Sequence, residues 1–305
     1  MLSIDIGSRY IKLLYANISG KQIVVSDNVL LQTPPEAVLS GIVCNFDIIS
    51  EIIGQEVTKQ KWKGAKTTIV ITSPDIIVRE IKLPKTSSKN IKNIVSNEMS
   101  SFFNGEKYAI EYFLQNQDKS VLKAHAFAMS LPLIEDYKKM LAKAQLFPST
   151  LDISSNCIRK INMGLKYEQG SEDIIVNVDI GYNLINFNLF YKNYLLYTRC
   201  IKMEITNEAK PSAEPGNELK AENTYLTYIG DEIQKILQFL ASSEYRDKNT
   251  IISVCGGGAN IEGIDSWLKQ YLNSEVVLAD NIKHNGIKGG NMKEFINALG
   301  AQIRL

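Results

Sequence analysis

The chain is 305 residues long, with 45% hydrophobic and 22% charged residues. That length suits two domains or one large α/β unit, and the balance excludes long disorder, collagen and a disulfide scaffold. The 34 basic and 33 acidic residues leave a formal net charge of +1, so no global field draws polyanions and nucleic acid is not an expected partner. Cys44, Cys157, Cys200 and Cys255 form no CxxC pair and read as buried thiols in a reducing compartment. The opening MLSIDIGSRYIKLLYA carries Asp5 and no basic leader, which speaks against a signal peptide. No run reaches the ~18–20 apolar residues of a membrane helix. The expectation is a cytosolic protein that meets a membrane only through a partner.

In chain order, Leu2 to Ile6 and Tyr10 to Asn17 read as strands, and the β-branched run Thr67 to Thr72 reads as a buried one. Ile76 to Leu83 is partly alternating and meets Pro84. Ser87 to Phe103 spaces Ile91, Ile94, Val95, Met99 and Phe102 as a helix, with Thr86, Ser87 or Ser88 as its cap. Lys123 to Ser130 reads as a strand, and Leu133 to Leu146 and Leu151 to Met163 as helices. Ile174 to Asp179, Leu184 to Tyr191 and Tyr194 to Ile201 look like three successive strands. Asn207 to Asn223, with two prolines and many charges, reads as an exposed loop. Tyr225 to Leu240 is helical, Ile251 to Cys255 a strand, and Ile264 to Leu272 and Met292 to Gln302 helices. Lys59 to Lys63 reads as a solvated basic turn, Gly286 to Asn291 as an ordinary loop, and His125 as a core or surface residue without an obvious partner.

The chain echoes itself. Asp5-Ile6-Gly7 and Asp179-Ile180-Gly181 lie 174 residues apart (179 minus 5), each between two strands. A strand ending in Asp-x-Gly suits phosphate and metal binding: the aspartate can hold Mg2+ through water, and glycine lets backbone N–H groups approach phosphate oxygens. Ser8 adds a hydroxyl, and Lys12, between apolar Ile11 and Leu13, can point into a cleft. Each tripeptide alone reads more simply as a plain hairpin turn; two copies half a chain apart favour phosphate binding, by two lobes facing each other. Gly256-Gly257-Gly258-Ala259 follows a strand and precedes a helix. It is neither a GxGxxG fingerprint nor a Walker A loop; it lets backbone pass close to a ligand.

In this order the motifs resemble the actin-like ATPase superfamily, which includes actin and the sugar kinases. LSIDIGSRYIKLLYA is similar to its first phosphate motif, VNVDIGYNLINFNLF to its second, ISVCGGGANIEGI to its adenosine motif and NALGAQIRL to its second connecting helix. Within it, Leu83-Pro84, Glu98, Glu111-Tyr112 and the Leu151-Asp152-Ile153 connection resemble the PilM family of type IV pilus assembly, with the division protein FtsA as a cousin.

The resemblance implies an α/β, actin-like (ribonuclease H-like) two-lobe fold with an extra subdomain of the FtsA/PilM type. It implies subdomain 1A over residues 1–73 and 146–168, the partner-binding extra subdomain over 74–145, 2A over 169–205 and 245–305, and a reduced 2B over 206–244. Asp5, Gly7, Ser8 and Lys12 would face the phosphates of ATP from one lobe. Asp179, Gly181, Tyr182 and Asn183 would face them from the other. Gly256, Gly257, Gly258 and Ala259 would lie against the nucleoside, and Mg2+ between Asp5 and Asp179, mostly through water. The implied partner is the N-terminal cytosolic peptide of a PilN-like membrane protein, with pilus motor or platform proteins beside it. The chain would thus sit at the inner face of the cell membrane without inserting into it. Three departures from the family pattern reduce hydrolysis to a slow ATPase at most: Ile185 in place of a threonine, Ser154 in place of a glutamate, and a shortened stretch over 203–224. An FtsA-like filament protein and a small-molecule kinase of the same superfamily are the alternatives.

Overall fold

The computed structural model describes residues 1–19, 22–103, 105–116, 121–164, 172–192, 194–204, 223–281, 287–289 and 292–304. The first lobe opens with a meander of β1 (Leu2–Ile6), β2 (Tyr10–Ser19) and β3 (Gln22–Gln32). The small hairpin of β4 (Val38–Leu39) and β5 (Ile42–Val43), α1 (Phe46–Lys59) and β6 (Lys66–Ile71) follow. Then come β7 (Ile77–Pro84), α2 (Ser88–Ser100), β8 (Tyr108–Asn116) and β9 (Val121–Ser130). The chain returns through α3 (Leu131–Lys143), β10 (Phe147–Ile153) and α4 (Ser154–Gly164). The second lobe holds β11 (Ile174–Ile180), β12 (Leu184–Tyr191), β13 (Tyr194–Lys202), α5 (Asn223–Ala241) and β14 (Thr250–Cys255). It continues through a 3-10 turn (Gly257–Asn260), α6 (Ile264–Leu272), β15 (Glu275–Leu278), β16 (Ile287–Lys288) and α7 (Met292–Gln302).

The two main sheets repeat one topology. The first runs β10-β6-β1-β2-β3, with β16 added at its β3 edge, and the second runs β15-β14-β11-β12-β13. In each, an antiparallel hairpin (β1–β2 or β11–β12) is flanked by a parallel strand (β6 or β14). Every residue of β1 and β11 is buried, as expected of central strands covered on both faces. The echo of two Asp-Ile-Gly turns is therefore a duplication of whole sheets.

The helices α4 and α7 lie against one another between the two sheets. Their close approach depends on Gly300, where a Cβ would stand 2.2 Å from the carbonyl oxygen of Cys157. A third, antiparallel sheet of order β7-β9-β8 forms the inserted unit. On one face α2 packs Ile91, Val95 and Met99 against Ile81, Leu83, Ala124 and Ala126, and Ser87 caps the helix by accepting from the Asn90 N–H at 3.4 Å. On the other face Phe127 joins Ile158 of α4 and Ile175, Phe190 and Leu195 of the second lobe. The insertion is thus anchored to both lobes at once.

Several local expectations change. Residues 151–153 end β10 rather than opening a helix, because Leu151, Asp152 and Ile153 pair with Ile69, Val70 and Ile71 of β6. The helix starts at Ser154. The Lys59–Lys63 stretch is not simply solvated: Trp62 is buried and stacks on Tyr15, with ring centroids 5.4 Å apart. His125 is buried and does have a neighbour, Glu80 Oε2 at 3.7 Å, whose other oxygen meets Lys123 Nζ at 3.3 Å. Two thiols, Cys157 and Cys255, are buried, whereas Cys44 is exposed and Cys200 intermediate. Ile287 and Lys288 form a short strand beside β3 rather than a loop. The expected 207–223 loop lies outside the described residues except for Asn223, which opens α5.

Candidate functional site

Both Asp-Ile-Gly turns close in the same way. The Gly7 N–H donates to the Tyr10 carbonyl at 3.0 Å, and the Gly181 N–H to the Leu184 carbonyl at 2.9 Å. A Cβ at Gly7 would stand 3.0 Å from that Tyr10 oxygen, and one at Gly181 3.1 Å from that of Leu184, so glycine permits both bends. Thr33 fixes the first turn by donating its hydroxyl to the Gly7 carbonyl at 2.7 Å.

The two turns face each other across one cleft of about 460 Å3, open to solvent. Asp5, Gly7, Ser8 and Lys12 line it from the first lobe, and Asp179, Gly181, Tyr182 and Asn183 from the second. Asp5 and Lys12 are cross-strand partners in register, and Lys12 Nζ lies 3.4 Å from Asp5 Oδ2. Burial pushes the Asp179 carboxyl above its ordinary range; Lys12 works against that shift and the Asp5 charge adds to it. Burial alone would lower the Lys12 ammonium, but the charges of Asp5, Asp179 and Glu294 outweigh it and hold its pKa above the ordinary value.

The glycine turn after β14 plays a different part. Gly256 has φ +87°, and a Cβ there would lie 2.3 Å from Asp179 Oδ1. A Cβ at Gly258 would lie 2.3 Å from Ile180 Cγ2, whereas one at Gly257 would meet nothing within 4 Å. Ala259 belongs to the core of the second lobe, at 1% exposure. Two of the three glycines thus have a packing cause, and only Gly257 presents open backbone. None of these four residues lines the cleft between the hairpins.

The sequence reading missed four cleft neighbours. Asn186 lies seven residues after Asp179, as Lys12 does after Asp5, and pairs with Asp179 in register; that shared offset was the available signal. Its Nδ2 donates to Ser154 Oγ at 2.8 Å. Thr72, one residue past β6, lines the cleft with a buried hydroxyl that has no partner among the described residues. Arg9, at the tip of the first hairpin, stacks over Tyr182 of the second at 5.1 Å from the ring centroid. Asn297 of α7 donates through Nδ2 to Asp179 Oδ2 at 2.8 Å and to Asp5 Oδ2 at 3.4 Å. Asp152 is engaged elsewhere, by Lys160 at 2.7 Å and Asn156 at 2.8 Å. The carboxylates lining the cleft are therefore Asp5 and Asp179.

Duplicated sheets joined by paired helices, with a hairpin turn from each at the seam, define the actin-like ATPase fold. A Bacteroides thetaiotaomicron protein described as having that fold matches with a TM-score of 0.51 and 10% identity, over 98% of this chain and 93% of its own. The ethanolamine utilization protein EutJ of Carboxydothermus hydrogenoformans matches with a TM-score of 0.59 and 12% identity, over 98% and 88%. The family model of the type IV pilus assembly protein PilM matches residues 3–204, and the chain belongs to that family. A chain of the PilM-PilN type IV pilus biogenesis complex agrees with a TM-score of 0.77 and 15% identity, over 98% of this chain and 96% of its own.

Proposed function

We propose that the chain binds ATP with Mg2+ between the two hairpins and acts as a nucleotide-responsive scaffold of type IV pilus assembly. The observation that carries this reading is the convergence of Asp5 and Asp179 from opposite lobes, with Lys12 between their charges. The residues present fit a magnesium-bound triphosphate. Both turns are glycine-permitted bends with backbone at the cleft, Lys12 is in reach, and the Asn297 carbonyl oxygen and the Thr72 hydroxyl are buried beside the site without partners among the described residues. The backbone at Gly7, Ser8 and Gly181 to Asn183 would hold phosphate oxygens. Lys12 would neutralise charge, and Asp5 and Asp179 would keep the ion through its waters. When bound, the ion supplies charge neutralisation between the lobes. Gly257 offers the open backbone for the nucleoside; Gly256 and Gly258 shape that turn. Hydrolysis is slow, because both carboxylates in the cleft serve the ion and Ser154 is a hydroxyl held by Asn186.

Residues 1–73 and 146–168 then form subdomain 1A, 74–145 the partner-binding insertion, 169–205 and 245–305 subdomain 2A, and 206–244 a reduced 2B. The insertion recruits the N-terminal cytosolic segment of a PilN-like membrane protein, which keeps the chain at the inner face of the membrane. Family membership and the likeness to a PilM-PilN complex support this part.

Titration with a fluorescent ATP analogue in Mg2+ tests the site. Asp5→Ala and Asp179→Ala each abolish saturable binding while the melting transition stays cooperative; wild-type affinity in both would refute it. Photo-crosslinking of a labelled partner tail is expected to map to 74–145, and crosslinks confined to the second lobe would contradict the recruitment claim.

A further inference from the structure

We infer that Asn297 is a positioning residue of the phosphate and metal site, holding the carboxylates of both lobes in one geometry and offering its carbonyl oxygen to a metal-bound water. The inference rests on the nucleotide reading above. Asn297 belongs to neither hairpin: it reaches Asp5 across 292 positions and Asp179 across 118. A carboxylate only accepts, so the atom placed between the two aspartates is the amide nitrogen. That leaves Oδ1, which is buried and has no partner among the described residues, on a side chain only 3% exposed. Native structures rarely leave such an atom without cause, and Asn297 lines the cleft beside both aspartates. The hydration shell of a cation held by two carboxylates is made of donors, which is what this acceptor lacks.

Its position is fixed by α7 rather than by its ligands. The next residue, Ala298, accepts from Ser3 Oγ at 2.7 Å. Gln302 donates to the same Ser3 oxygen at 2.9 Å, and Gly300 lies against Cys157 of α4. The amide therefore holds its place before any ligand arrives, as outer-shell partners of metal sites do.

Binding of a fluorescent ADP analogue to the full chain, measured in Mg2+ and again in EDTA, tests the inference. Asn297→Ala is expected to weaken Mg2+-dependent binding about tenfold or more and metal-free binding by a clearly smaller factor, with a melting transition that stays cooperative at a lowered temperature because two buried carboxylates lose a donor. In the unaltered protein, adding Mg2+ and ADP is expected to shift the Asn297 side-chain NH2 resonances. Equal losses with and without metal would reduce Asn297 to a structural role and overturn the inference, as would unchanged affinity in both or unmoved resonances. Absence of any nucleotide binding by the wild type would remove the nucleotide reading and this inference together, whereas wild-type binding indifferent to Asn297 removes the inference alone.

Discussion

Asp179 shows most directly how burial and function oppose one another. Its carboxyl titrates above the ordinary value of 3.8 because the folded chain has removed it from water. A group whose folded pKa is raised binds its proton more tightly in the native state, so its contribution to stability falls as pH rises from 3.8 through the folded value. Ionised Asp179 is thus a stability cost at neutral pH. Asp179→Asn is expected to raise the melting temperature at pH ~7 and to lose that gain as pH falls toward the ordinary aspartate range. Equal melting temperatures at neutral pH would contradict this. The same proton would compete with the proposed Mg2+, so Mg2+-dependent nucleotide binding should fail on acidification at a higher pH than an ordinary carboxylate would predict. At this scale the hairpin residues were legible because an Asp and a Gly at a strand end are neighbours in the chain. Asn297 was not, since its two partners come from distant elements and nothing local marks it. Thr72 looked only like the end of a β-branched run, and its unpartnered hydroxyl exists only once the lobes face each other.

Among the elements, the glycine turn after β14 separates packing from binding. At Gly256 an alanine meets a positive φ, the Asp179 carboxylate and the Ile180 backbone together. Gly256→Ala should cost about 2 kcal/mol or more and lower the melting temperature by about 3 °C or more. At Gly257 the added methyl meets nothing, so Gly257→Ala should stay within about 0.5 kcal/mol of wild type. Because the proposed nucleoside passes there, it should still weaken nucleotide binding. Similar stability loss at both positions would contradict this division. The limits of β12, α6 and α7 were legible in the sequence, and the cap of α2 was narrowed to Thr86, Ser87 or Ser88, of which Ser87 serves. Local pattern failed where tertiary pairing decides: residues 151–153 were read as the first turn of the helix that follows them, yet their backbone completes the edge of the first sheet against β6. The long strand β3 and the helix α1 passed unread, β3 because its exposed and half-buried residues dilute the alternation.

At the level of the whole molecule, the two lobes are copies in topology though not in chemistry. Lys12 in the first corresponds to Asn186 in the second, so the cation comes from one side only. The insertion is keyed into both lobes through Phe127 and its neighbours, which would give a nucleotide bound as proposed at the seam a packed route to the unit proposed to hold the partner. Lobe duplication was readable from two tripeptides. The pairing of α4 with α7 was not, because Gly300 reads as an ordinary helical glycine until Cys157 is placed against it. Hydrogen–deuterium exchange of the full chain, with and without Mg2+ and ATP, tests the shared site most directly. Residues 5–12 and 179–186 are expected to gain protection together; protection of one hairpin without the other, or of neither at saturating nucleotide, would refute a site shared by the two lobes.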